Sequence, residues 1–363
     1  MASARKLLFI SPCTPDPQGT GWEQRAFAFL SAYSKFTDVE LWFTPTPDNP
    51  ELIRIEKLTR LCVGMTSFHP VLINDEKSTL KKRLIQSLSA SDAVRVFRLP
   101  QMVSAINHRF LVWDIDQLPW SAPQISPDQR RYLTELYPRC FKKCRRVFAS
   151  SDSERQQAHF DEIVVIPNVA LAPERSDDFE SSEKAPILLF VGNLNHAANI
   201  DGLAFFIDSI LPKLAGSVPN VLLKVIGRSP IGDGARAAVN RFRVTSRAQF
   251  VFDVPSCTPY YLQAVASISP VLYGGGTRIK IIESFAHRCP VVSTKKGCEG
   301  LGVVHRKHLL IDDTPDGFAS ACVELIQAPQ LREQIAETAN GFFECNHSQG
   351  VVDRLLVSAF QDL

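Results

Sequence analysis

A chain of 363 residues exceeds what one ordinary hydrophobic core encloses, so two domains are expected. Hydrophobic residues at 45% and charged residues at 21% exclude a disordered chain and leave apolar groups enough for a core in each half. Forty Lys and Arg against 38 Asp and Glu give a net charge of +2, too little for a global field that recruits nucleic acid, and any contact with an anionic membrane must come from a local patch.

From the N-terminus, the apolar run 7–10 ends at Ser11-Pro12, too short for a signal-peptide core, and reads as a first strand. A loop follows, then a helix over 22–34 with apolar spacing at Phe27, Leu30 and Tyr33. Further strands are predicted at 39–43, 110–113, 146–149 and 163–166, while in 50–99 the spacing of Leu52, Ile55, Leu58 and Leu61 suggests a helix and the rest shows no clean period. Between 168 and 186 the composition turns to Glu, Asp, Ser and Pro, the mark of a linker. The predicted layout is therefore an N-terminal domain over 1–170, a linker over 171–186 and a second domain over 187–345. A last helix within 346–363 is expected to return to the first domain, by fold analogy. In the second domain, strands at 187–191, 221–226, 249–252, 268–272, 291–294 and 309–311 alternate with helices at 202–214, 235–242, 259–266, 280–287, 315–327 and 329–342. Short strands with crossover helices predict an α/β fold with doubly wound parallel sheets. No run of about 18 apolar residues occurs, so no spanning helix is predicted. The nine cysteines, odd in number and without C-x-x-C, read as reduced thiols of a cytoplasmic protein with no structural metal.

Open α/β sheets bind ligands beyond the carboxyl ends of their strands. Three glycine-bearing loops stand there in the second half: Gly192-Asn193-Leu194-Asn195, Gly227-Arg228, and Gly274-Gly275-Gly276-Thr277-Arg278-Ile279-Lys280. The third offers flexible backbone donors, Thr277 as a helix cap, and Arg278 and Lys280 beside a helix N-terminus that already favours an anion. This predicts a diphosphate cradle. Glu283 lies one turn further on, suited either to the two hydroxyls of a ribose or to an ion pair with Lys280 or Arg278. In the first half, Gln18-Gly19-Thr20-Gly21 with Gln24 and Arg25 forms a further glycine loop, and Asp114 and Asp116 end a strand on one side of it.

The run SPVLYGGGTRIKIIESFAHRCPVVSTKKGCEGLGV from Ser269 resembles the donor segment of the group 1 (family 4) retaining glycosyltransferases. The resemblance extends back through FVGNLNHAANIDGLAFFIDSILPKL from Phe190 and forward to DDTPDGFASACVELI from Asp312. It implies a GT-B fold, two Rossmann-like domains facing across a cleft, with a nucleoside-diphosphate sugar in the second and a saccharide, lipid-linked or other hydroxyl acceptor in the first. It further implies retention of configuration, no obligatory metal, and a role in polysaccharide or glycoconjugate synthesis. Glu283 matches the second Glu of the family's paired-Glu motif, whereas Gly275 stands where the first belongs. The family's Arg and Lys after the first strand of this domain are missing, and Arg278 and Lys280 are their natural replacements for stabilising the leaving group. Asp114 or Asp116 is expected to contact acceptor or sugar, and Gly19, Gly21 and Arg25 to line the site. The basic clusters Lys81-Lys82-Arg83 and 139–146 are candidates for anionic head groups of the inner face of the plasma membrane. Two other readings remain at this stage: a nucleotide-sugar epimerase, and a catalytically degenerate nucleotide-binding scaffold.

Overall fold

The computed structural model describes residues 5–17, 19–45, 58–68, 79–116, 118, 126–160, 162–170, 173, 186–245, 247–274 and 278–360. Within strand 111–116 the side chain of Asp116 lies outside the description, as do Gln18, Gly275, Gly276, Thr277 and most of the predicted linker. The chain divides into two units, Met1–Val169 with Gln349–Leu363, and Ala170–Ser348.

In unit 1 the first apolar run forms β1 (Lys6–Ser11), whose side chains alternate between two cores as the pleat demands. Leu8 and Ile10 enter one cluster with Val94, Val96, Trp113 and Phe141; Leu7 and Phe9 enter the other with Phe29, Leu30, Leu41 and Phe148. Burial on both faces is what makes the strands read as unbroken apolar runs. The chain continues through α1 (Gly21–Tyr33), β2 (Asp38–Phe43), β3 (Gly64–Ser67), α2 (Thr79–Ala90), β4 (Ala93–Phe97), α3 (Pro100–Ala105) and β5 (Leu111–Asp116). It then adds α4 (Pro127–Lys143), β6 (Arg146–Ala149), α5 (Asp152–Gln157) and β7 (Ile163–Val165). All seven strands are parallel in the order β3-β2-β1-β4-β5-β6-β7. β3 and β4 fall in the part of 50–99 that shows no clean period, and Leu52 and Ile55 of the suggested helix lie outside the description.

Unit 2 repeats the plan with β8 (Ile187–Val191), α6 (Ala197–Phe205), a π-helical turn Phe206–Ile210, α7 (Leu211–Ser217), β9 (Leu222–Gly227), α8 (Asp233–Arg243) and β10 (Ala248–Phe252). α9 (Thr258–Gln263), β11 (Ala266–Ser269), α10 (Ile279–Ala286), β12 (Val291–Ser293), β13 (Leu310–Ile311), α11 (Pro315–Gln327) and α12 (Pro329–Asn346) complete it. The order is β10-β9-β8-β11-β12-β13, again all parallel. β11 stops before Pro270, which has no N–H to give a ladder, so it is shorter than the predicted 268–272. α13 (Gln349–Phe360) belongs to unit 1, where Val352 and Leu356 join the α1 core and Phe360 meets Tyr33 edge-on at 5.1 Å.

Candidate functional site

In unit 2 the strand order reverses between β8 and β11, and the loops leaving their carboxyl ends stand side by side. α10 is placed there by its amphipathicity. Ile281, Ile282 and Phe285 are buried with Ala339 and Phe343 of α12, which leaves Lys280, Glu283 and His287 along another face at helical spacing. Arg278 occupies the N-cap, the position predicted for Thr277, and Ile279 opens the helix. Arg278 Nη2 donates to the Gly274 carbonyl at 2.9 Å, tying the two described ends of the glycine turn together. Gly274 has φ +96°, a conformation that favours glycine.

Lys280 Nζ donates to Asn199 Oδ1 at 2.8 Å and lies 4.7 Å from the centre of the Phe190 ring. Burial first, and Arg278 second, bring its ammonium down to about 7. Burial likewise depresses Arg278. Glu283 is lifted to about 7 by burial, and Tyr261 Oη donates to its Oε2 at 3.2 Å, opposing part of that rise. His287 stacks on Tyr261 with ring centres 4.7 Å apart and joins Thr258 Oγ1 to the Glu283 carbonyl through its two nitrogens. The carboxylate is thus held from α9, and its partner is Tyr261 where an ion pair with Lys280 or Arg278 was the other expectation.

The loop after β8 is braced from within. Asn193 Oδ1 accepts from the backbone and side chain of Asn195 at 3.0 and 2.9 Å, and Asn199 Nδ2 donates to the Asn193 carbonyl at 2.9 Å. Asn195 in turn holds the Ser229 carbonyl and the Ile231 amide of the loop after β9. These amides fix the loop. Gly227 is required by packing: a Cβ there would lie 2.2 Å from the Gly192 carbonyl oxygen. Arg228 follows it, partly buried. Among the described residues no group of three His, Cys, Asp or Glu is arranged to hold a metal.

Residues 185–328 match the family model described as group 1 glycosyl transferases. Unit 2 is a group 1 glycosyltransferase domain. A Klebsiella pneumoniae protein described as an uncharacterized 44.6 kDa protein in cps region is 26% identical over 167 residues, 44% of this chain and 42% of that protein. Sucrose-phosphate synthase from Thermosynechococcus elongatus superposes with a TM-score of 0.72 at 13% identity over 99% of each chain. Anabaena Alr3699/HepE, in complex with UDP, gives 0.74 at 16% identity over 99% of this chain and all of the other. The chain shares with these neighbours the GT-B fold of two parallel-sheet α/β units.

Beside this glycosyltransferase domain, the residues predicted in unit 1 behave differently. Asp114 is fully buried, paired with Arg25 at 3.0 Å and with Arg95, so it is out of reach of any substrate and holds the core together. Its expected contact with acceptor or sugar is corrected accordingly. Arg25 is equally sealed: Nη1 donates to the Ile166 carbonyl and to Asn168 Oδ1 at 2.8 and 2.9 Å, and it too does not line a site. The register shifts between Asp114 and Asp116, so the regular alternation that would set both on one side is broken. Gly19 stands where a Cβ would meet Glu23 Oε2 at 2.4 Å, and Glu23 accepts from the Thr20 amide to cap α1. Gly21 begins that helix. Gly19 and Gly21 are both partly exposed. Tyr261, His287 and Asn199 escaped sequence reasoning because each acts on a residue 22, 4 or 81 positions away without a motif of its own.

Proposed function

We propose that the protein is a retaining glycosyltransferase that moves a sugar from a nucleoside-diphosphate sugar to a hydroxyl of a saccharide or lipid-linked acceptor. The carrying observation is the conjunction, on one short helix, of two partly buried cations at the N-terminus and a partly buried carboxylate one turn later. Breaking the bond from the anomeric carbon to the diphosphate develops negative charge on the leaving group, and preorganised cations in a dry site stabilise that charge where it forms. Arg278, Lys280 and the first amides of α10 supply it. Glu283, held by Tyr261, accepts from the ribose hydroxyls. Retention, and the absence of a required metal, rest on the family resemblance.

Anabaena HepE was crystallised with UDP, and the Klebsiella relative carries a cps region in its description; both favour a uridine donor and glycoconjugate synthesis here. The work belongs in the cytoplasm, where such donors are made. Exposed Lys82, Arg83, Arg139, Lys142, Lys143 and Arg145 of unit 1 are the residues we assign to peripheral contact with an anionic inner leaflet.

Calorimetry with nucleoside diphosphates, paired with release of free nucleotide from UDP- and GDP-sugars, tests the reading. Glu283→Ala is expected to weaken nucleoside diphosphate about 10-fold or more, since hydrogen bonds to a charged group are at stake. Unchanged affinity would remove Glu283 from the site. Epimerised donor in place of free nucleotide would overturn the transferase assignment, and binding without any turnover would leave only a scaffold.

A further inference from the structure

α6 grips both flanks of the glycine turn. Ahead of the turn, Tyr273 Oη donates to Asp201 Oδ2 at 2.5 Å, and the helix packs so closely on the exit from β11 that a Cβ at Gly202 would lie 2.6 Å from the Pro270 carbonyl oxygen. Behind the turn, Lys280 Nζ donates to Asn199 Oδ1 at 2.8 Å. Asn199 is itself fixed: its Nδ2 donates to the Asn193 carbonyl at 2.9 Å, which sets Oδ1 toward Lys280, and a Cβ at Gly192 would stand 3.3 Å from the amide. A lysine has a flexible four-carbon stem and a strongly hydrated head, so without such a partner its ammonium takes no single place. Among the described residues Lys280 has no ion pair with a carboxylate. Glu283, one turn on, is bound to Tyr261, and burial and then Arg278 oppose the Lys280 charge. His196, at the N-cap of α6, is held below its ordinary value by burial first and Lys280 second. A neutral amide oxygen orients the ammonium yet cancels none of its charge, and one hydrogen bond leaves two of its three donors for another acceptor.

We infer that Asn199 is a positioning residue: it holds the Lys280 ammonium in place for the diphosphate and, being neutral, leaves that charge whole for the phosphate oxygens. An aspartate in its place would hold Lys280 as firmly and cancel the charge the ligand needs, while an apolar side chain would leave the ammonium without a partner in a partly buried site. The two substitutions therefore act oppositely on Lys280 and alike on the ligand. Aspartate favours the protonated amine and leucine the neutral one, and both weaken the hold on diphosphate. The identity of the ligand rests on the transferase reading above; the hold of Asn199 on Lys280 does not.

The test labels the full chain, without ligand, with acetic anhydride across a range of pH and reads the modified Lys280 peptide by mass spectrometry, since only the neutral amine reacts. Nucleoside diphosphate affinity is measured on the same variants by calorimetry. The labelling midpoint of Lys280 is expected to rise by about one pH unit in Asn199→Asp and to fall by about one in Asn199→Leu. Both variants lose the bond to the Asn193 carbonyl alike, so the difference between them reports on Lys280 alone. Should either fail to fold, the other against wild type still gives the sign. Near pH 6, where the amine is charged in wild type and in Asn199→Asp, the aspartate is expected to weaken nucleoside diphosphate about tenfold, and by less than about twofold in a Lys280→Met background. Midpoints that stay together or move the same way overturn the positioning role. So does an Asn199→Asp variant that binds as tightly as wild type, or whose loss persists in Lys280→Met. Absence of nucleoside diphosphate binding in wild type would strike the transferase reading instead, while opposite movement of the midpoints would still show Asn199 holding Lys280.

Discussion

Glu283 sits where burial opposes its charge, and the sign of the consequence can be worked out. Its folded value of about 7 lies above the ordinary 4.5, so the favourable contribution is complete below about pH 4.5 and is lost as pH rises through 7. Lys280, brought from 10.5 to about 7, is the mirror case: its contribution is complete above 10.5 and is lost as pH falls through 7. Glu283→Gln removes a charge that burial disfavours. The variant is expected to melt higher than wild type near pH 8.5, by roughly 1–3 kcal/mol of stability, and about equally near pH 5, where wild type is already neutral there. A difference in melting that does not change with pH would contradict a buried, titrating carboxyl. Diphosphate favours charged Lys280 and ribose favours charged Glu283, so affinity is expected to peak near neutrality. Lys280→Met should abolish the alkaline fall and Glu283→Gln the acid one. This pair was legible in the sequence because cations and carboxylate share one helix turn and one spacing. Tyr261 was not, because nothing local marks a hydroxyl aimed at a residue 22 positions on.

At the scale of elements, the loops after β8 and β9 are set by one approach of backbone to backbone. The Gly192 amide donates to the Ile226 carbonyl at 2.9 Å, and the Gly192 carbonyl then lies where a Cβ of residue 227 would have to be. Gly227→Ala cannot be relieved by rotating a side chain, so it is expected to cost about 2–4 kcal/mol and to weaken nucleoside diphosphate binding with it. Gly341, inside α12, meets nothing within 4 Å, and the same change there is expected to stabilise by about 0.5–1 kcal/mol. Chemical denaturation of the two variants checks the opposite signs. Strands with uninterrupted apolar runs, such as β1 and β8, are legible for the reason that both faces are covered. β4 is not, because Arg95 stands at its centre, and it takes Asp114 on the neighbouring strand together with nearby aromatic rings to make a buried arginine tolerable. β3 is a short edge strand with little apolar content to announce it.

At the scale of the whole molecule, each unit has its own sheet and cores, and the charge buried in unit 1 makes a distinction that activity alone would blur. Two arginines meet the Asp114 carboxylate there, and aromatic faces lie around one of them, with the Arg95 guanidinium 4.6, 3.9 and 5.3 Å from the ring centres of Phe9, Phe29 and Tyr33. Burial nonetheless lowers the affinity of Arg95 for its proton, a sign of how little solvent helps. The sequence, through an acidic strand end beside a glycine loop, suggests a catalytic role for Asp114; only burial separates that from a structural one, and burial is a property of the folded unit. Removing a single partner from such a network costs about 3–5 kcal/mol because the remaining charge is left uncompensated. Asp114→Asn is therefore expected to lower activity by opening unit 1, and amide hydrogen exchange resolves this by location. Protection should fall in α1, β1, β4 and β5, while nucleoside diphosphate should still protect the loop after β8 and the start of α10. A variant that loses turnover with protection in unit 1 unchanged would instead return Asp114 to the chemistry.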